Sequence, residues 1–110
     1  MKVRVVAQHL GEGAFPVFAK GTAVKMGEEA THFLHWYSCV IEGYETYVPE
    51  CFVCDGKLIC DYNPTELAAE AGEILEVREI VYAWIIATNG DGVKGWIPAE
   101  SVLSESIAIG

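Results

Sequence analysis

The sequence predicts an all-β protein made of two similar halves, and three observations carry that prediction. The first is a repeat: Glu42-Gly43-Tyr44-Glu45-Thr46-Tyr47-Val48-Pro49 returns as Asp91-Gly92-Val93-Lys94-Gly95-Trp96-Ile97-Pro98 at an offset of 49. Trp36 and Trp84 repeat at 48, and Gly21 and Gly72 at 51, so a small domain has been duplicated with minor loop changes. The second is a period of two: Val3, Val5 and Ala7 alternate with Arg4, Val6 and Gln8, the pattern of half-buried strands. The third is the turn chemistry of Asn89-Gly90-Asp91-Gly92, whose glycines accept the positive φ of tight hairpins.

Taken in order, strands are expected over 3–8, 23–26, 57–62, 74–80, 82–88 and 93–97, where β-branched and aromatic residues concentrate. Pro49 and Pro98 should end strands, because proline donates nothing to a ladder. Only 65–72, with Leu67, Ala68, Ala69 and Ala71, is helical by composition, and it is too short to hold a helix without tertiary support. The halves are placed at 1–53 and 58–110, joined by a short linker, 54–57. About 50 residues per half is close to the lower limit for an independent core. The two are therefore expected to pack as one rigid unit, with Phe15, Phe18 and Phe33 as candidates for the seam.

Composition narrows the function classes. The 110 residues carry 7 Lys+Arg against 16 Asp+Glu, a formal charge of −9, which disfavours nucleic acid and anionic membrane surfaces and favours basic partners. The longest apolar run, 80–87, is far below the roughly 18 residues of a membrane span. The apolar stretch behind Lys2 and Arg4 ends at Gln8 and His9, so no export signal is expected and a cytoplasmic location is. Cys39, Cys51, Cys54 and Cys60 are then expected to be reduced thiols.

The second half resembles a Src homology 3 domain. Leu58-Ile59-Cys60-Asp61-Tyr62 stands for its opening strand motif, 65–67 and 72–77 for the acidic loop and following strand, Trp84 for the tryptophan of the third strand, and Gly95-Trp96-Ile97-Pro98 and Val102 for its end. The first half looks like a divergent copy, and such tandem pairs resemble small bacterial variant Src homology 3 proteins. The resemblance implies two tandem five-stranded β-barrels and a non-catalytic protein or peptide interaction module. It also implies an aromatic groove for an extended ligand, proline-rich or basic. Carried over by position, the groove residues are Tyr62, Trp84 and Pro98, with Glu66 as the acidic residue that meets a ligand cation. In the first half they are Trp36, Pro49 and Phe52, with His9 at the place of Tyr62. Cys60 and Ser101 stand where groove tyrosines are expected.

The residues also admit two other function classes. Cys51-x-x-Cys54 with His32-x-x-His35 has the residue types of a structural zinc site. A cell-wall glycan-binding module is the second, since bacterial domains similar to this fold take that role. No cofactor is expected, and no cysteine, histidine and orienting group are spaced as a catalytic set. Trp96 and Cys39 read as packing residues.

Overall fold

In the computed structural model, which describes residues 1–11 and 13–104, ten strands follow one another: β1 (Lys2–Val5), β2 (Lys25–Glu29), β3 (Trp36–Ile41), β4 (Tyr44–Pro49), β5 (Val53–Cys54), β6 (Lys57–Leu58), β7 (Ile74–Val81), β8 (Trp84–Thr88), β9 (Lys94–Pro98) and β10 (Val102–Ser104). Single 3-10 turns, Glu50–Phe52 and Ala99–Ser101, follow the two prolines, which end β4 and β9 as expected. No α-helix occurs among the described residues. The segment 65–72 is extended instead: Leu67 N–H donates to the Trp96 carbonyl and Ala69 N–H to the His9 carbonyl. Leu67 and Ala69 are buried while Ala68 and Glu70 are exposed, an alternation of two that overrides the helical composition.

The chain divides into two compact units whose boundaries differ from those expected at 54–57. One, here the continuous unit, is Phe15–Pro64; the other, the split unit, joins Met1–Ala14 to Thr65–Gly110. Each unit thus takes its opening strand from the opposite half of the repeat. In the split unit Gly72 N–H donates to the Val5 carbonyl, Val5 N–H to Glu73, and His9 and Ala69 exchange a pair of bonds at 2.9 Å. In the continuous unit Gly21 N–H donates to Leu58, Leu58 N–H to Thr22, and Phe18 and Tyr62 exchange a pair at 2.8 Å. These are the same four bonds made by equivalent residues of the repeat. The backbone hydrogen bonds alone therefore do not distinguish the two strands.

The split unit contains one five-stranded sheet, β10-β1-β7-β8-β9, antiparallel throughout. Its core is Val3, Val5, Leu67, Ala69, Leu75, Ile85, Ala87, Ile97 and Val102. Burying each large aliphatic contributes roughly 1.5–3 kcal/mol. The hairpin between β8 and β9 closes as its sequence requires: Asn89 Oδ1 accepts from Asp91 N–H and Val93 N–H, and Gly92 takes φ +81°.

The continuous unit has a three-stranded sheet, β2-β3-β4, and a separate two-stranded one, β5-β6. Neither unit closes into the barrel that the family resemblance implies. In the continuous unit β6 is only two residues long and meets the segment before β2 through one bridge, Ala23 to Lys57, so its five strands stay in two sheets. Phe18, expected at a seam, is instead a buried residue of this unit, with its ring edge-on to Tyr44 at 5.6 Å. Trp96 and Cys39 are buried, as their strand positions suggested.

Candidate functional site

Three of the expected groove residues, Glu66, Trp84 and Pro98, lie in the split unit. Trp84 opens β8 and faces Pro98, the last residue of β9, across the ladder. Pro98 is buried and gives a rigid floor, while Trp84 is half-buried and keeps part of its ring in solvent. Glu66 is held beside them by backbone: it forms a parallel bridge with Trp96, whose N–H donates to the Thr65 carbonyl. Two glycines permit this close approach. A Cβ on Gly95 would come within 2.8 Å of Leu67 N, and one on Gly11, at φ +72°, within 3.0 Å of Ala68 N.

The strand exchange brings a fourth residue to this place. His9 sits edge-on to Trp84, ring centroids 5.9 Å apart. Its Nε2 lies 2.9 Å from Glu66 Oε1, and its Nδ1 lies 2.9 Å from the Leu67 carbonyl oxygen. The side chains of His9 and Glu66 remain 16% and 27% exposed, so the pair is reachable from solvent. Sequence reasoning assigned His9 to the other half, although its position in the strand motif was recognisable.

Tyr62, expected beside Trp84, belongs to the continuous unit. It is only 3% exposed, its hydroxyl donates to the Tyr47 carbonyl at 2.5 Å, and its ring meets Phe52 edge-on at 5.6 Å. Trp36 faces Pro49 across β3 and β4, as Trp84 faces Pro98. Trp36, however, is 5% exposed and Pro49 and Phe52 are buried. The same plan is therefore filled by aromatic packing in the continuous unit and left partly open in the split one.

The histidine and cysteine pairs do not meet in a zinc site. His35, at φ +71°, donates its backbone N–H to Glu29 Oε2 at 2.8 Å, and its Nδ1 is 2.7 Å from Glu50 Oε1. The His32 ring lies edge-on to Phe33. Cys51 and Cys54 are exposed free thiols, and no group of three or more His, Cys, Asp or Glu is placed to hold a metal among the described residues. The carboxylates around His35 act on Tyr37: the negative charge of Glu29, then burial, then Glu50 raise its phenol above the ordinary tyrosine value. Cys39 is pushed up to about 11 by burial and stays a neutral thiol.

Comparison with known families finds a variant SH3 domain in residues 56–104. The match starts at β6 and ends with β10, so it follows the linear repeat and includes nine residues, 56–64, that the fold gives to the continuous unit. No curated protein and no solved structure matches the chain. SH3-like domains are in general protein-interaction modules without catalysis. No helix is long and apolar enough to cross a membrane among the described residues.

Proposed function

We propose that the chain is a non-catalytic peptide-interaction module whose binding surface is carried by the split unit. The half-exposed Trp84 beside the buried Pro98, with the Glu66 carboxylate at the same place, is the observation that supports this reading. A flat aromatic face next to a rigid proline suits an extended polyproline II segment, which is already ordered before it binds. The carboxylate and the formal charge of −9 favour a ligand that carries Arg or Lys. The continuous unit carries no binding surface in this reading, because Trp36, Pro49, Phe52 and Tyr62 spend their surface on packing. A bacterial, cytoplasmic setting belongs to the same proposal, and fractionation of cells expressing a tagged chain tests it.

The binding reading is tested by amide NMR titration with proline-rich peptides containing arginine, following the indole N–H signals of Trp36, Trp84 and Trp96. Movement of the Trp84 indole alone is the expected result. Movement of Trp36 alone would transfer the site to the continuous unit, and no movement at millimolar peptide would refute peptide binding.

A further inference from the structure

We infer that Asn89 is a modification site: its side-chain amide is lost spontaneously through attack by the Gly90 nitrogen, leaving aspartyl or isoaspartyl at the tip of the hairpin between β8 and β9. The inference is independent of the peptide-binding reading.

The chain contains two asparagines, Asn63 and Asn89. Asn63 precedes Pro64, whose nitrogen carries no proton to give up, so it cannot close the ring that this reaction needs. Asn89 precedes Gly90, the residue type with no side chain to crowd the attacking nitrogen.

The hairpin presents both reacting groups. Gly90 is exposed, and a Cβ built on it would meet nothing within 4 Å. Its N–H makes no hydrogen bond among the described residues, because others close the turn: Asn89 N–H donates to the Val93 carbonyl and Gly92 N–H to the Asn89 carbonyl. The electrophile is activated as well. Asn89 Oδ1 accepts from Asp91 N–H at 2.9 Å and from Val93 N–H at 3.0 Å. These donors sit where negative charge develops when the amide carbon is attacked, and preorganised donors of this kind stabilise the transition state of acyl transfer.

The reaction needs only water. Gly90 N gives its proton to hydroxide and bonds to Asn89 Cγ; the Cγ–Nδ2 bond breaks and, with a proton taken from water, that nitrogen leaves as ammonia. Water then opens the five-membered imide at either of its two carbonyls. The net change is one water consumed and one ammonia released, with nothing oxidised or reduced. Opening at Cγ leaves an ordinary aspartyl, whose carboxylate accepts from the Asp91 and Val93 N–H groups as the amide did. Opening at the main-chain carbon routes the chain through Cβ and Cγ, one atom longer, and draws Oδ1 into a peptide bond. The isoaspartyl form therefore loosens the turn that joins the strand of Trp84 to the strand of Pro98.

The test keeps the full folded chain in mildly alkaline buffer at physiological temperature for days. Mass spectrometry then follows the segment 79–94, which trypsin releases by cutting after Arg78 and Lys94. That segment should gain about 1 Da, an amide NH2 replaced by OH, and should separate into two forms, one of them a substrate for an isoaspartyl methyltransferase. The amide NMR signals of Asp91 and Val93 should change in step with the mass. Gly90→Ala, whose methyl enters open space and so leaves the fold intact, should slow the conversion about tenfold by crowding the nitrogen. Retention of the original mass by the folded chain, whether or not the chain converts in urea, shows that the turn holds Cγ out of reach and overturns the inference. So does conversion at a rate that Gly90→Ala leaves unchanged, or a gain of mass confined to other segments.

Discussion

Trp84 and Trp36 open equivalent strands and each faces a proline across the ladder, yet the first is half-exposed and the second is buried. The residue supplied by the exchanged strand differs in the same sense. The continuous unit receives Tyr62, whose ring packs on Phe52 and whose hydroxyl finds a backbone carbonyl inside. The split unit receives His9, which keeps two polar contacts and leaves a solvent-reachable carboxylate. The Trp-Pro pair is thus closed over by aromatic packing in the continuous unit and left partly open to solvent in the split one. The deciding residue arrives from the other half of the chain.

The largest effect should come from breaking the exchange itself. A chain lacking residues 1–14 loses β1, which is hydrogen-bonded on both sides, to β7 and β10. It should therefore lose the dispersed amide signals of the split unit while keeping those of 15–64. The fragment 57–110 should be largely unfolded for the same reason. If it proves as stable as the whole chain by thermal melting, β6 can replace β1 and the exchange is not required. Next in size, Trp36→Ala should cost about 3–5 kcal/mol of stability in denaturant unfolding, the range for a buried aromatic. Trp84→Ala should cost about 1 kcal/mol but abolish peptide binding; comparable destabilisation by both would erase the contrast between the units.

A smaller effect concerns Cys39. Its folded value near 11 exceeds the ordinary 9.0, so the folded state holds the proton more tightly than the unfolded one. The stabilisation is complete below pH 9.0 and is lost as pH rises through about 11. Cys39→Ala should flatten that part of the stability profile relative to the unsubstituted chain, whatever its overall cost. Smallest of all, a thiol reagent should label the exposed Cys51 and Cys54 without perturbing the fold, and label Cys39 only on unfolding. Rapid labelling of Cys39 in the native chain would show that β3 opens readily.

Much of this was legible in the residues. The all-β class, the strand ends at Pro49 and Pro98, the hairpin at 89–92 and the burial of Trp96 all follow from local patterns that local structure obeys. The alternation at Leu67 and Ala69 is also present in the residues, masked by the alanine content around it. The exchange was not legible, because Val5 and Leu58 offer the same backbone pattern to Gly21 or Gly72. What differs between the pairings is the side chain delivered, Tyr62 against Phe52 in one unit and His9 against Glu66 and Trp84 in the other. Reading along the chain therefore places Tyr62 beside Trp84, and the family match likewise runs through residues 56–64 of the continuous unit.

The exchange also imposes an order on synthesis. On the ribosome, β1 emerges first and residues 18–24 soon after, offering it the pairing that the finished fold gives to 57–62. The rightful occupant, β6, appears about 35 residues later, some two to seven seconds at ordinary elongation rates. β1's own partners, Leu75 and Val102, come later still. The nascent chain must hold its first strand in reserve, or release it from a near-identical site, before either unit can be completed.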